Sequence, residues 1–243
     1  QEFTHEDPVI DPTEYTSMSV LQARESNLNE KVQITGTVAS ITYAFGMIPS
    51  GVYLVDDTSS IYVYSKDVAS QVKVGNTITV AGEKTQYILA DEQANAAKWG
   101  YQGSIQLQNA ILVNNDKAVT DFPTSWIEKT TVKEIMETPF TENITNKIYE
   151  VNAFINKVDG SNFVNYYIND HDGVTGSYTY TQCSGSDFAW LNAYDGKLVT
   201  LYVTAINAKA SASGCIYRFV PIKVTNDNAS FDENWLYIYL HRD

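Results

Sequence analysis

The sequence predicts an all-β chain with short helices, arranged as two tandem five-stranded Greek-key barrels. Three observations predict it. Apolar and polar residues alternate with period two in nearly every segment, the pattern of half-buried strands. The two halves, divided near Asp121-Phe122-Pro123-Thr124, repeat the same series of segments. In each half a short helical segment falls between the third and fourth strands. Composition agrees: 243 residues at 44% hydrophobic and 19% charged is a globular chain, long enough for two domains of about 100–120 residues. No apolar run reaches the roughly 18 residues of a membrane-spanning helix.

Residues 1–15 read as an acidic, Pro-punctuated tether, with Glu2, Glu6, Asp7, Pro8, Asp11, Pro12 and Glu14 and no hydrophobic period. The start at Gln1 suits the remnant left when a signal segment is removed. The first domain is expected over 16–121 and the second over 122–243. Each opens on an amphipathic stretch, Met18 to Leu21 and Val132 to Met136, with Ser17 and Thr131 as the expected N-caps.

An alternating first strand follows, Val32 to Val38 and Tyr149 to Ile155. The second strand ends in aspartate, Tyr53-Leu54-Val55-Asp56-Asp57 against Tyr167-Ile168-Asn169-Asp170. The third is Ile61 to Tyr64, matched by Ser177 to Tyr180. The helical plugs are Asp67 to Val72 and Asp187 to Leu191, with Val68, Val72, Phe188, Trp190 and Leu191 expected to point inward. A glycine, Gly75 or Gly196, opens the fourth strand, and the fifth closes each half. This is the strand order of the OB-fold. The copies differ in one loop, long and helix-containing from Tyr87 to Gly103 but short from Asn207 to Ser213. At the C-terminus Trp235 to Leu240 alternates again and predicts an added strand on the second barrel.

The run from Val32 to Val113 resembles the OB-fold domains of bacterial extracytoplasmic proteins, found beside secreted nucleases and in Bacteroidetes lipoproteins of unassigned function. The residues that carry it are Ile34-Thr35-Gly36-Thr37-Val38, Tyr53-Leu54-Val55-Asp56-Asp57, Ile61-Tyr62-Val63-Tyr64 and Val72 through Gly82. The resemblance covers about a third of the chain; the second copy follows it loosely. It implies an extracytoplasmic, lipid-anchored protein on the cell surface or in the periplasm, tethered through residues 1–15. It supplies no catalytic activity, because one fold hosts many functions.

Function must therefore come from a site. With Leu54, Ile61 and Val63 in the core, alternation turns Tyr53, Tyr62 and Tyr64 onto one outer face, a stacking platform for a sugar ring or a base. The alternative is that tyrosine simply suits a half-exposed strand, or that the other domain covers the face. Trp99 and Tyr101 in the long loop are candidates for a ligand wall, or for packing against one of the barrels.

Net charge is −13, with −8 in the first half and −5 in the second. That weighs against nucleic acid as a partner, whose binding is driven by Lys and Arg, and toward a neutral glycan or a protein. Membrane association is expected only through the N-terminal lipid.

No catalytic set is visible: Gly-x-Ser-x-Gly is missing, as is a phosphate-binding glycine loop. Neighbours Asp56 and Asp57 point to opposite sides and do not form a glycosidase pair. Asp170-His171-Asp172-Gly173 lacks the ordered ligand series of a calcium loop and reads as a turn. No metal or cofactor is expected. Cys183 and Cys215 could form one disulfide or stay two free thiols, and geometry decides between them. The expectation is a non-catalytic extracytoplasmic binding module with ligand contacts at Tyr53, Tyr62, Tyr64, Trp99 and Tyr101. A structural or assembly protein is the alternative, and single-stranded nucleic acid binding ranks below both.

Overall fold

The computed structural model describes residues 11–44, 48–121, 123–140, 147–161, 164–174, 180–184 and 186–230. In the first half, β1 (Thr16–Ser17) runs parallel to β2 (Lys31–Ala44). Between them lies α1 (Val20–Glu25). There follow β3 (Ile48–Val55), β4 (Ser60–Val63), α2 (Lys66–Ser70), β5 (Thr77–Tyr87), α3 (Gln93–Lys98) and β6 (Ser104–Asn115). The strand order β2-β3-β4-β6-β5 closes on itself through the β2–β5 ladder. One pair inside it, β4–β6, is parallel. This is the five-stranded OB barrel that the sequence predicts.

Closure needs the long strand β2 to serve two neighbours. Its first half pairs with β5 and its second half with β3, and the register shifts between Val38 and Ser40. Such a bulge bends a strand and raises its twist, which lets a sheet turn a barrel corner. Val32, Ile34, Leu54, Ile61, Val63, Ile78, Val80 and Leu107 fill the interior, and α2 plugs one end with Val68 and Ala69, joined by Val72 just beyond it.

In the second half, β7 (Ile127–Lys129) pairs parallel with β8 (Ile148–Asp159), and α4 (Val132–Glu137) lies between them. Then come β9 (Val164–Asn169), β10 (Tyr180–Ser184), a pair of 3-10 turns over Ser186–Tyr194, β11 (Lys197–Ala210) and β12 (Cys215–Asn226). Their order is β10-β9-β8-β11-β12, the same order as the first barrel. β10 and β12 lie side by side, but among the described residues no backbone ladder joins them.

Three details depart from expectation. Ser19, not Ser17, caps α1, because Ser17 is taken up in β1. The third strand of the second half lies at β10, in a polar stretch that reads as loop and becomes strand by pairing with β9. Residues 177–179 lie outside the described residues. Phe188 and Leu191 plug the second barrel, whereas Trp190 points out and meets Tyr194 edge-on at 6.4 Å. The C-terminal alternation at 235–240 and most of the tether also lie outside the described residues.

Candidate ligand groove

Tyr53, Tyr62 and Tyr64 do share a face. Tyr53 and Tyr62 are direct cross-strand partners on β3 and β4. Ring centroids are 5.6 Å apart for Tyr53–Tyr62 and 6.4 Å for Tyr62–Tyr64. Their exposure runs in a gradient: Tyr53 is 2% exposed, Tyr62 is half-buried and Tyr64 is 57% exposed. Tyr53 belongs to the hydrophobic cluster that continues into the second barrel, together with Ala39 and Val55. One end of the tyrosine face is thus buried in the cluster shared by the two halves, near Arg24 and Tyr101 of its own half, and burial holds the Tyr53 hydroxyl well above its usual pKa. Tyr53 is a packing residue, and the accessible platform is Tyr62 and Tyr64.

That platform is one wall of a groove of about 460 Å³. Across it, β6 contributes Ser104, Gln106 and Gln108, every second residue of a strand whose other face carries Leu107 into the core. Tyr87 stands at the end of β5, and Thr42 and Ser50 come from β2 and β3. Among the described residues the lining carries no charged side chain.

Tyr62 is held before any ligand arrives. Its hydroxyl and the Thr42 hydroxyl are 2.7 Å apart, and the Thr42 hydroxyl is 3.0 Å from that of Ser50. The ring lies across Gly51, where an added Cβ would sit 2.4 Å from the phenolic oxygen. Glycine at 51 is what lets the ring lie flat on the sheet.

The long loop binds the other barrel. Trp99 Nε1 donates to the Ser211 carbonyl at 2.9 Å and Lys98 Nζ to the Ala212 carbonyl at 3.1 Å, both in the β11–β12 turn. Arg218 lies 3.4 Å from the Glu92 carboxylate. Tyr101 is 8% exposed, within hydrogen-bonding distance of Ser104 and edge-on to Phe140 at 6.1 Å. Trp99 and Tyr101, expected as a ligand wall or as packing, are here an interdomain clamp.

Other candidates resolve structurally. The Asp56 carboxylate accepts from Val20 N at the start of α1 and from Thr58 N and Ser59 N of its own turn. The Asp170 carboxylate meets His171 Nδ1 at 3.0 Å. Among the described residues no group of three or more His, Cys, Asp or Glu side chains is placed to hold a metal ion. Cys215 is a free, half-buried thiol, pushed up to about 11 by burial and then by the nearby Glu92 charge. The Cys183 side chain lies outside the described residues.

Sequence reasoning missed Thr42, Ser50, Tyr87, Ser104, Gln106 and Gln108. The signal was the alternation Ser104-Ile105-Gln106-Leu107-Gln108. In this strand order the fifth strand lies parallel beside the third, so Gln106 comes directly opposite Tyr62.

No family model and no curated relative matches this chain. Among solved structures it is similar to the Ifi202 HINa domain in complex with 20bp dsDNA, at 10% identity over 84% of this chain and 99% of that one, with a TM-score of 0.39. It is also similar to a chain of a Replication Protein A heterotrimer bound to ssDNA, at 9% identity over 94% of this chain and 74% of that one, with a TM-score of 0.27. The OB assignment rests on the strand order above.

These findings correct one expectation, that net negative charge sets nucleic acid aside as a partner. Both matched structures contain DNA. The physical reason is that a net charge of −13 averages over a whole surface, while the described residues lining the groove carry no charge of either sign.

Proposed function

We propose that the protein is a non-catalytic binding module that holds a neutral glycan in the groove beside Tyr62 and Tyr64. One observation carries this reading: the aromatic wall faces uncharged amides and hydroxyls across about 460 Å³, on the strand face OB barrels use for oligosaccharides and oligonucleotides. A sugar ring offers an apolar face to an aromatic ring and hydroxyls to amides, and it needs no cation. The resemblance of the first half to extracytoplasmic lipoprotein domains supports a lipid-anchored position outside the cytoplasm.

A second reading is a single-stranded oligonucleotide. It is supported by two aromatic rings 6.4 Å apart at the end of β4, an arrangement that suits the stacking of successive bases. The exposed Lys66, two residues beyond Tyr64, is within reach of a backbone phosphate that leaves the groove.

Titration calorimetry separates the two. The purified chain is titrated with cello-, malto-, xylo- and manno-oligosaccharides and with oligo(dT), at low and physiological salt. The expected result is salt-insensitive binding to one neutral series, abolished by Tyr64→Ala. Binding confined to oligo(dT) and falling steeply with salt would replace the first reading by the second. Silence toward every probe would overturn both.

A further inference from the structure

Gln106 sits at the floor of the groove, on the strand hydrogen-bonded to β4 on one side and β5 on the other. It is 7% exposed, yet its side-chain amide has no hydrogen-bond partner among the described residues. Its neighbours on the same strand differ. The Ser104 hydroxyl is paired with that of Tyr101, and Gln108 is more open to water. Leu107, on the opposite face, already fills the barrel interior, so Gln106 does no core packing.

The amide is not among the buried side-chain atoms left without a partner, so its donor and acceptor open onto the groove, where a ligand can replace water. A residue needed only to fill this floor would be Val, Ile or Thr, which suit a strand better. We infer that Gln106 determines ligand selectivity, its amide pairing with two neighbouring hydroxyls of an uncharged pyranose stacked on the Tyr62–Tyr64 wall. The inference rests on the glycan reading and specifies its chemistry. A glutamine amide presents a donor and an acceptor side by side. A vicinal diol presents the complement, since each hydroxyl both gives and accepts. The amide is fixed by a central strand, so a ring lacking one of the two hydroxyls leaves half of it unpaired, which is where such sites gain discrimination.

The test uses the oligosaccharide series that binds, its monodeoxy analogues, and Gln106→Met, which keeps length and removes the amide. Gln106→Met is expected to weaken the parent sugar about tenfold or more, to abolish the preference over the monodeoxy analogue, and to keep the melting temperature. A merely structural glutamine would instead lower the melting temperature and leave the deoxy preference in place. If Gln106→Met binds as wild type while Tyr64→Ala abolishes binding, the selectivity inference falls and the groove reading stands. If no oligosaccharide binds the wild-type chain, both fall. If Gln106→Met instead changes base preference among oligonucleotides, the amide reads a base edge and the glycan assignment is overturned.

Discussion

The two barrels repeat one design and diverge in what each does with its outer face. Both begin with a parallel β-strand pair and a capped helix, and both order five strands alike. The first closes through its β4–β6 ladder and carries the groove. In the second the corresponding β10–β12 seam has no ladder among the described residues, and its turn between the last two strands only receives the clamp from the first. The difference teaches that one strand order can leave an open groove on one copy and serve mainly as packing surface in the other. The second barrel shares with Tyr53 the hydrophobic cluster that joins the halves.

Equivalent tyrosines measure that division of labour. Tyr53 and Tyr167 occupy the same position in their repeats, but Tyr53 is 2% exposed and Tyr167 is half-buried. Tyr53→Ala is expected to cost about 3–5 kcal/mol, in the range of large buried aromatics, and Tyr167→Ala about 1 kcal/mol, nearer the average for a single substitution. Urea unfolding of the two variants checks this. Equal losses would mean that Tyr53 is not buried between the two halves in solution.

A second pair sharpens the comparison. Gly75 and Gly196 precede the fourth strand of each copy, with φ of +89° and +72°. Both need the left-handed region, which costs an alanine about 1–2 kcal/mol. At Gly75 a Cβ would also fall 2.8 Å from Val119 and 2.9 Å from the Thr120 carbonyl, while at Gly196 nothing lies within 4 Å. Gly75→Ala should therefore cost roughly 2–4 kcal/mol once overpacking is included, against about 1–2 kcal/mol for Gly196→Ala. Thermal unfolding of both variants ranks them, and reversal of the order would place the 117–121 segment elsewhere.

Strand order and barrel class were legible in the sequence because period-two alternation and a doubled pattern are local properties. Val32 to Val38 and Tyr53 to Val55 announce themselves without knowledge of their partners. Which side of an outer face meets solvent is not local. Nothing in Ile61-Tyr62-Val63-Tyr64 states that Tyr53 is covered while Tyr64 is open, because the cover comes from segments distant in the chain, Tyr101 among them. Gln106 was hidden for the same reason: it becomes a groove residue only when β6 comes to lie parallel beside β4. Trp99 reads from sequence as a display residue or a packed one, and its indole partner is 112 positions away.

That distant contact gives the next effect in size. Trp99→Ala removes the bond to Ser211 and part of the packing between the barrels, for an expected loss of about 1–2 kcal/mol, between a lost hydrogen bond and a lost core side chain. If the clamp fixes the groove, the same variant should weaken the ligand less than Tyr64→Ala does. Calorimetric unfolding that stays unchanged in Trp99→Ala would show that the loop does not couple the domains.

The smallest contrast lies in the two helix caps. In α1 the Ser19 hydroxyl accepts from Gln22 N and the Gln22 side chain accepts from Ser19 N, at 3.2 and 2.9 Å. In α4 Thr131 and Glu134 form the same box, at 3.1 Å in each direction. The first helix has further support, since Val20 N donates to Asp56 and Leu21 N to Thr58 Oγ1. Removing one cap typically costs about 1 kcal/mol. Thr131→Ala should reach that, and Ser19→Ala should cost less because two other first-turn donors stay paired. The caps also differ in charge. Hydrogen bonds from the Thr130 hydroxyl, then the Thr131 backbone, hold the Glu134 carboxyl below its ordinary 4.5. A carboxyl lowered in the folded state adds stability above its unfolded pKa and loses it as pH falls through the folded one. The α4 cap should thus weaken in acid below about pH 4.5 while the neutral Gln22 box does not. Unfolding of Glu134→Gln and Gln22→Ala between neutral pH and pH 3 isolates the difference. Glu134→Gln should flatten part of the acid slope, Gln22→Ala should leave it unchanged, and identical slopes in all three chains would remove Glu134 from the account.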